Sequence, residues 1–140
     1  MATREEIADA LSTMTLFSDL TTPQLLGAAG RFEEAFFPAG ERVLRQGLSG
    51  SAFHVILDGE ATIVVDGTQR ATLARGEFFG EVSILLGESP SADVIAARPL
   101  RTIVLAGPAV EPFLVEHPKV MFRMLQSQAR RLRNANRWRD

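Results

Sequence analysis

The stretch Gly76-Glu77-Phe78-Phe79-Gly80-Glu81-Val82-Ser83-Ile84-Leu85-Leu86-Gly87-Glu88-Ser89-Pro90-Ser91-Ala92-Asp93-Val94 decides how the chain is read. On both sides of it, short apolar runs alternate with glycine-containing turns, and here that alternation stops. A loop with two glycines, Gly76 and Gly80, leads into a short apolar turn of helix from Glu81 to Leu85. A second loop through Pro90, Ser91 and Ala92 returns to a strand. Gly80 just before a helix start leaves backbone N–H groups free and lets an anion approach the chain. The positive end of the helix dipole acts in the same direction. Small side chains at Ser91 and Ala92 leave further N–H groups accessible, and Glu81 can accept hydrogen bonds from a pair of sugar hydroxyls. These parts suit a ligand with one anionic group beside a ribose-like diol. The same pattern also fits an ordinary strand-to-helix connection.

Toward the N-terminus the chain reads as strands and turns. Glu34 to Phe37, Val43-Leu44, Ala52 to Leu57, Glu60 to Val65 and Gln69 to Ala74 are rich in Val, Ile, Phe or Thr. Asp66-Gly67 between two of these runs is a two-residue hairpin signal. After the quoted stretch, Val94 to Ala97 and Arg101 to Leu105 read as two more strands. Many short strands with frequent turns predict an antiparallel barrel or sandwich. Phe36, Phe37, Phe53, Phe78 and Phe79 fall where such a core needs filling.

Both ends are helical. Thr3 followed by Glu6 is a capping box, and Ile7, Ala8, Leu11 and Met14 then recur at helical spacing. A second helix is expected from Thr22 to Ala29, capped by Thr21 or Thr22, with Pro23 in its first turn. Pro108 opens a helix to Glu116, and Pro118 opens a longer one to about Trp138. In the latter, Met121, Leu125, Gln128, Leu132 and Ala135 recur at steps of four and three, a narrow stripe. A helix this long with so thin an apolar face needs a partner, either the barrel or a second copy of itself. The homodimer through Met121, Leu125 and Leu132 is the preferred expectation.

Composition narrows the function classes. With 140 residues and 46% hydrophobic content the chain can bury one core. There is no cysteine, so disulfides and thiolate metal sites are excluded. His54 and His117 are far apart and match no metal-ligand spacing; both read as packed or surface residues. No Ser, His and acid cluster suggests a catalytic triad, so an enzyme is not expected. Met1 to Asp9 carries no apolar signal segment, and no apolar run is long enough to span a membrane. A cytoplasmic protein is the expectation. Seven of the fifteen basic residues but only one of the seventeen acidic ones lie between Pro118 and Asp140. This basic tail reads as a solvated helix face, with no recognition helix for DNA.

The quoted stretch resembles the phosphate-binding cassette of the cyclic-nucleotide-binding domain family, found in bacterial catabolite activator proteins, protein kinase A regulatory subunits and nucleotide-gated channels. The family pattern is roughly F-G-E-aliphatic-small-aliphatic-aliphatic, then R-(S/T/A)-A-x-V. The chain offers Phe79 to Leu85, then Pro90 to Val94. Leu16 to Leu20, Phe37 to Glu41, Val55 to Glu60 and Leu73 to Glu77 stand in the family's order as well. The resemblance runs from about residue 7 to 138. It implies an α+β, mainly β fold: an antiparallel, jelly-roll-like β-roll with N-terminal helices and a long C-terminal helix. One domain is expected over residues 1–140, with helices in 1–31, the roll in 32–106, the cassette in 76–94 and helices in 108–138.

The resemblance also implies a regulatory, small-molecule-sensing role without a cofactor. Its ligand would be cAMP, cGMP or another small anion, held by Gly80, Glu81, Val82, Ser83, Ser91 and Ala92. Arg131 matches an arginine that some bacterial members place near the base, and Asn136 a second polar position there. The cassette is degenerate at one point: the family's phosphate-pairing arginine falls on Pro90, or on Ser91 with a one-residue shift. Neither supplies a cation, so weak cyclic-nucleotide binding is expected, with Arg75, Arg98 and Arg131 as candidate substitutes. The alternatives are a dimerising module that binds no ligand, or the sensor part of a larger regulator. Bacterial relatives often continue into a helix-turn-helix, and the sequence to Asp140 leaves no residues for one.

Overall fold

A computed structural model describes residues 1–48 and 50–137. Trp138, the expected last residue of the long helix, lies outside them. The N-terminal helices start at full capping boxes. Thr3 accepts the Glu6 N–H and Glu6 accepts the Thr3 N–H at the head of α1 (Arg4–Ser12). Thr21 and Gln24 do the same for α2 (Thr22–Ala29), with Pro23 in the first turn. Such caps satisfy N–H groups that the helix itself cannot. Between the two helices, a 3₁₀ turn (Thr15–Phe17) buries Leu16 and Phe17. Three residues are too short for a periodicity signal, and the turn was not expected.

The strands are β1 (Glu33–Phe37), β2 (Arg42–Leu44), β3 (Ala52–Asp58), β4 (Ala61–Val65), β5 (Thr68–Leu73), β6 (Phe78–Phe79), β7 (Asp93–Ala96) and β8 (Leu100–Ala106). They form two antiparallel sheets, β1-β8-β3-β6 and β2-β7-β4-β5. The α+β roll with flanking helices is therefore the observed fold. At the β4–β5 hairpin, Asp66 and Gly67 both take positive φ, 51° and 79°, which matches the twist of the strands they join. The two-residue β6, paired to His54 and Val55, is an addition to the expected strands.

The core has two layers that share β3. Its side chains alternate between them, and five consecutive residues, Phe53 to Leu57, are buried. Phe53, Val55 and Leu57 join α1, α2, α4 (Gly107–Glu116) and α5 (Pro118–Arg137) in the helical layer. Ile56 joins Ala61, Leu73, Phe79, Val94, Ala96 and Leu100 inside the roll. Phe78 and Phe79 are both buried because each faces one layer. Phe36 corrects an expectation: it is 61% exposed. It lies on the edge strand β1 next to Phe37, and neighbours on a strand face opposite ways. Only Phe37 turns toward the roll interior.

Helix α5 buries Val120 and Met124 and packs on α4 and the 3₁₀ turn. The stripe residues Met121, Leu125 and Leu132 stay 43%, 63% and 63% exposed. A different face of the helix thus holds it to the body.

Candidate functional site

The cassette loop is shaped first by Gly80. Its φ of 91° is left-handed, and a Cβ there would stand 2.0 Å from the Ala52 carbonyl oxygen. Only glycine fits on both counts. The close approach docks the loop onto β3 and starts α3 (Glu81–Leu86), whose first turn has no side-chain cap. Gly87, also left-handed, ends α3. The second loop is tied to the neighbouring β2–β3 connection. The Gly47 N–H donates to the Pro90 carbonyl at 2.9 Å. Asp93 accepts the Gln46 N–H at 2.8 Å and sits 4.0 Å from Arg42. Asp93 is thus engaged away from the cassette interior, as strand alternation predicts.

These loops enclose a cavity of about 180 Å³. Gly80, Glu81, Val82, Ser83, Ser91, Ala92 and Arg131 all line it, so the structure brings together every predicted ligand-binding residue. Leu44, Ile63 and Val65 complete its apolar wall. Sequence reasoning missed these three, because nothing local marks which strand faces a distant loop. Asn136 is exposed on the last turn of α5 and is not among the lining residues. Pro90 is buried in the cavity wall, while Ser91 is exposed at its edge.

Glu81 is the buried charge of the site, 1% exposed. Its Oε2 accepts from Gln128 Nε2 at 2.6 Å and from Arg131 Nη1 at 3.3 Å. Burial raises its pKa above the ordinary carboxylate value; the Arg131 charge and the hydrogen bonds it accepts pull the other way. Arg131 also donates through Nη2 to the Phe78 carbonyl at 3.2 Å and lies over the Phe78 ring. Gln128, read from the sequence as part of the apolar stripe, instead turns toward the cassette. Its one sequence cue is the i, i+3 spacing to Arg131, which puts both on one face. Ser83 Oγ lies 3.1 Å from Ser51 Oγ. Below the cavity wall, His54 stacks on Phe79 at 4.6 Å and bonds Thr102 at 3.0 Å. Burial pushes its pKa down to about 4.

Of the three candidate substitute cations, only Arg131 reaches this cavity. Arg98 pairs with Glu60 at 3.6 Å. Arg75 bonds the Leu57 carbonyl and Thr13 and lines a different groove. Among the described residues no cluster suits a metal ion, and no helix is long and apolar enough to cross a membrane.

Residues 34–117 match the family described as "Cyclic nucleotide-binding domain". A cGMP-dependent protein kinase, egl-4 of Caenorhabditis briggsae, is 31% identical over 105 residues, which is 71% of the chain. The chain spans only 14% of that kinase's length. The solved structure of the Thermus thermophilus catabolite activator protein is 28% identical with a TM-score of 0.77, covering 86% of this chain and 59% of that one. A PKAR CBD2 structure with bound Sp-2Cl-cAMPS is 20% identical with a TM-score of 0.81, covering 95% and 91%. At that identity the last likeness concerns the fold alone.

Proposed function

The chain belongs to the cyclic nucleotide-binding domain family, and on that premise we propose that it is a sensor in which a cyclic nucleotide competes with α5 for Glu81. The family makes it a regulatory, itself non-catalytic, binding domain. The finer reading treats residues 1–140 as one such domain and rests on Glu81: a buried carboxylate in the wall of the cassette cavity, whose side-chain partners both come from α5. In this reading a ribose diol replaces Gln128 and Arg131 on Glu81, and the first-turn N–H groups of α3 meet the phosphate. The present cavity, about 180 Å³, is below the roughly 300 Å³ usual for small-molecule sites. The ligand therefore requires α5 to shift outward, and that shift is the signal. It biases α5 only by its differential affinity for the two arrangements.

Affinity is low in this reading because Pro90 supplies no cation and the ligand must first break the Arg131–Glu81 pair. A missing charge-assisted pair costs roughly 2–5 kcal/mol when buried, and each 1.4 kcal/mol is about tenfold. Calorimetric titration with cAMP and cGMP is expected to give a Kd of roughly 0.1 mM or weaker. No heat at several millimolar of either nucleotide would refute the reading.

A second reading rests on the exposed stripe. Met121, Leu125 and Leu132 form an apolar line on a helix already anchored by its other face, which supports a homodimer through α5. Sedimentation at tens of micromolar tests it: a dimer that Leu125→Glu converts to monomer supports it, and a wild-type monomer ends it.

A further inference from the structure

A second, larger groove lies on the other side of Arg131, about 390 Å³ in volume. Four arginines converge on it. Arg75 comes from the β5–β6 turn. Arg123, Arg130 and Arg131 come from α5, where steps of seven and eight residues keep them on one face. The end of α1 and the 3₁₀ turn form the facing wall. Two of the cations are neutralised. Asp19 holds Arg123 through two bonds, at 2.7 and 3.0 Å, and Glu81 holds Arg131. The other two are not. Arg75 is fixed by the Leu57 carbonyl at 2.7 Å and Thr13 Oγ1 at 3.2 Å, both neutral acceptors. Arg130 joins no ion pair among the described residues. The carboxylate lining the groove, Glu77, accepts the Ala74 N–H at 3.0 Å.

We propose that this groove is a second anion site, taking a multiply charged phosphate such as a diphosphate, and that it is coupled to the cassette through Arg131. Guanidinium forks match phosphate oxygens in pairs, and Arg75 is held in place before any ligand arrives. Thr15 and Ser127 line the same groove, and a hydroxyl can donate to further phosphate oxygens. Arg131 lines both cavities. An anion that draws it from Glu81 frees the carboxylate that the proposed nucleotide needs. The coupling, unlike the anion site itself, rests on the reading of Glu81 given above.

The test is pyrophosphate titrated into the whole chain at low ionic strength, without nucleotide, followed by calorimetry and amide shifts. The expected Kd is roughly 1 mM or tighter, weakened roughly fivefold by Arg75→Gln and by Arg130→Gln. Arg98→Gln, remote from the groove and paired with Glu60, leaves it unchanged. No binding at about 10 mM, or an equal loss in all three variants, overturns the site. For the coupling, saturating pyrophosphate is expected to tighten cAMP binding severalfold, and by linkage cAMP tightens pyrophosphate equally. Unchanged or competitive binding overturns the coupling. If cAMP does not bind at all, the cassette reading fails while the pyrophosphate result stands.

Discussion

The two cavities that flank Arg131 are opposites. The cassette cavity is small, walled by glycine, small side chains and aliphatics, and its buried charge is a carboxylate, Glu81, already paired with Arg131. The arginine groove is larger and has more cations than acids to match them. The family resemblance places a phosphate-pairing arginine in the cassette, where this chain has Pro90. The cations with no ion pair among the described residues stand instead in the arginine groove, at Arg75 and Arg130. The difference teaches that the cassette backbone and its charge are separable. Gly80 and the loop ties preserve the shape, and the electrostatic partner is missing from it.

The strongest way to break the contrast is to destroy the shape alone. Gly80→Ala places a Cβ against the Ala52 carbonyl in a left-handed conformation. Backbone strain and overpacking together are expected to cost about 2–6 kcal/mol, read as a lower urea midpoint. Cyclic-nucleotide binding is lost with it. A variant as stable as wild type would show that the loop is not held as described.

Acid comes next, and it acts on the cassette side through His54. The folded pKa, about 4, lies below the ordinary 6.5. The unfolded chain therefore binds more protons between these values, and stability is lost as pH falls through that window. The full loss is roughly 3 kcal/mol by pH 4. Glu81, with a raised pKa, has the opposite sign: its contribution is present below its ordinary value near 4.5 and is lost as pH rises. Chemical denaturation at steps from pH 7 to 4 isolates the histidine when wild type is compared with His54→Asn. The variant is expected to lose less stability over that range, and parallel curves would remove His54 as the cause.

The smallest change moves a charge from one side of the contrast to the other. Pro90→Arg, or Ser91→Arg at the exposed edge of the cavity, returns a cation to the cassette. Either is expected to tighten cAMP or cGMP binding by about 1.5–3 kcal/mol, roughly tenfold to a hundredfold. Calorimetry showing no gain in either variant would mean that the loop cannot aim an arginine at the phosphate.

Seven of the eight strands, the Asp66-Gly67 hairpin, the Thr3–Glu6 capping box and the cassette's helix start were legible in the sequence. Each depends on neighbours within a few residues: a φ that only glycine tolerates, or a side chain that caps its own helix. That locality is why Gly80, Glu81, Ser91 and Ala92 stood out as one loop-and-helix pattern, while Val82 and Ser83 joined them only through the family resemblance. The tertiary structure decided the rest. Phe36 points outward because β1 is an edge strand and Phe37 takes the inward side. Arg75, Arg98 and Arg131, equivalent in the sequence, are sorted into a groove, a surface pair and the cassette wall. Gln128 meets Glu81 across 47 residues of chain. No local spacing encodes such contacts, because they follow from where packing Val120 and Met124 into the core lays α5 against the roll. The sequence by itself determined the cassette's local turns and helix start; how its loops close on β3, and which charges face them, was settled only by the packing of distant segments.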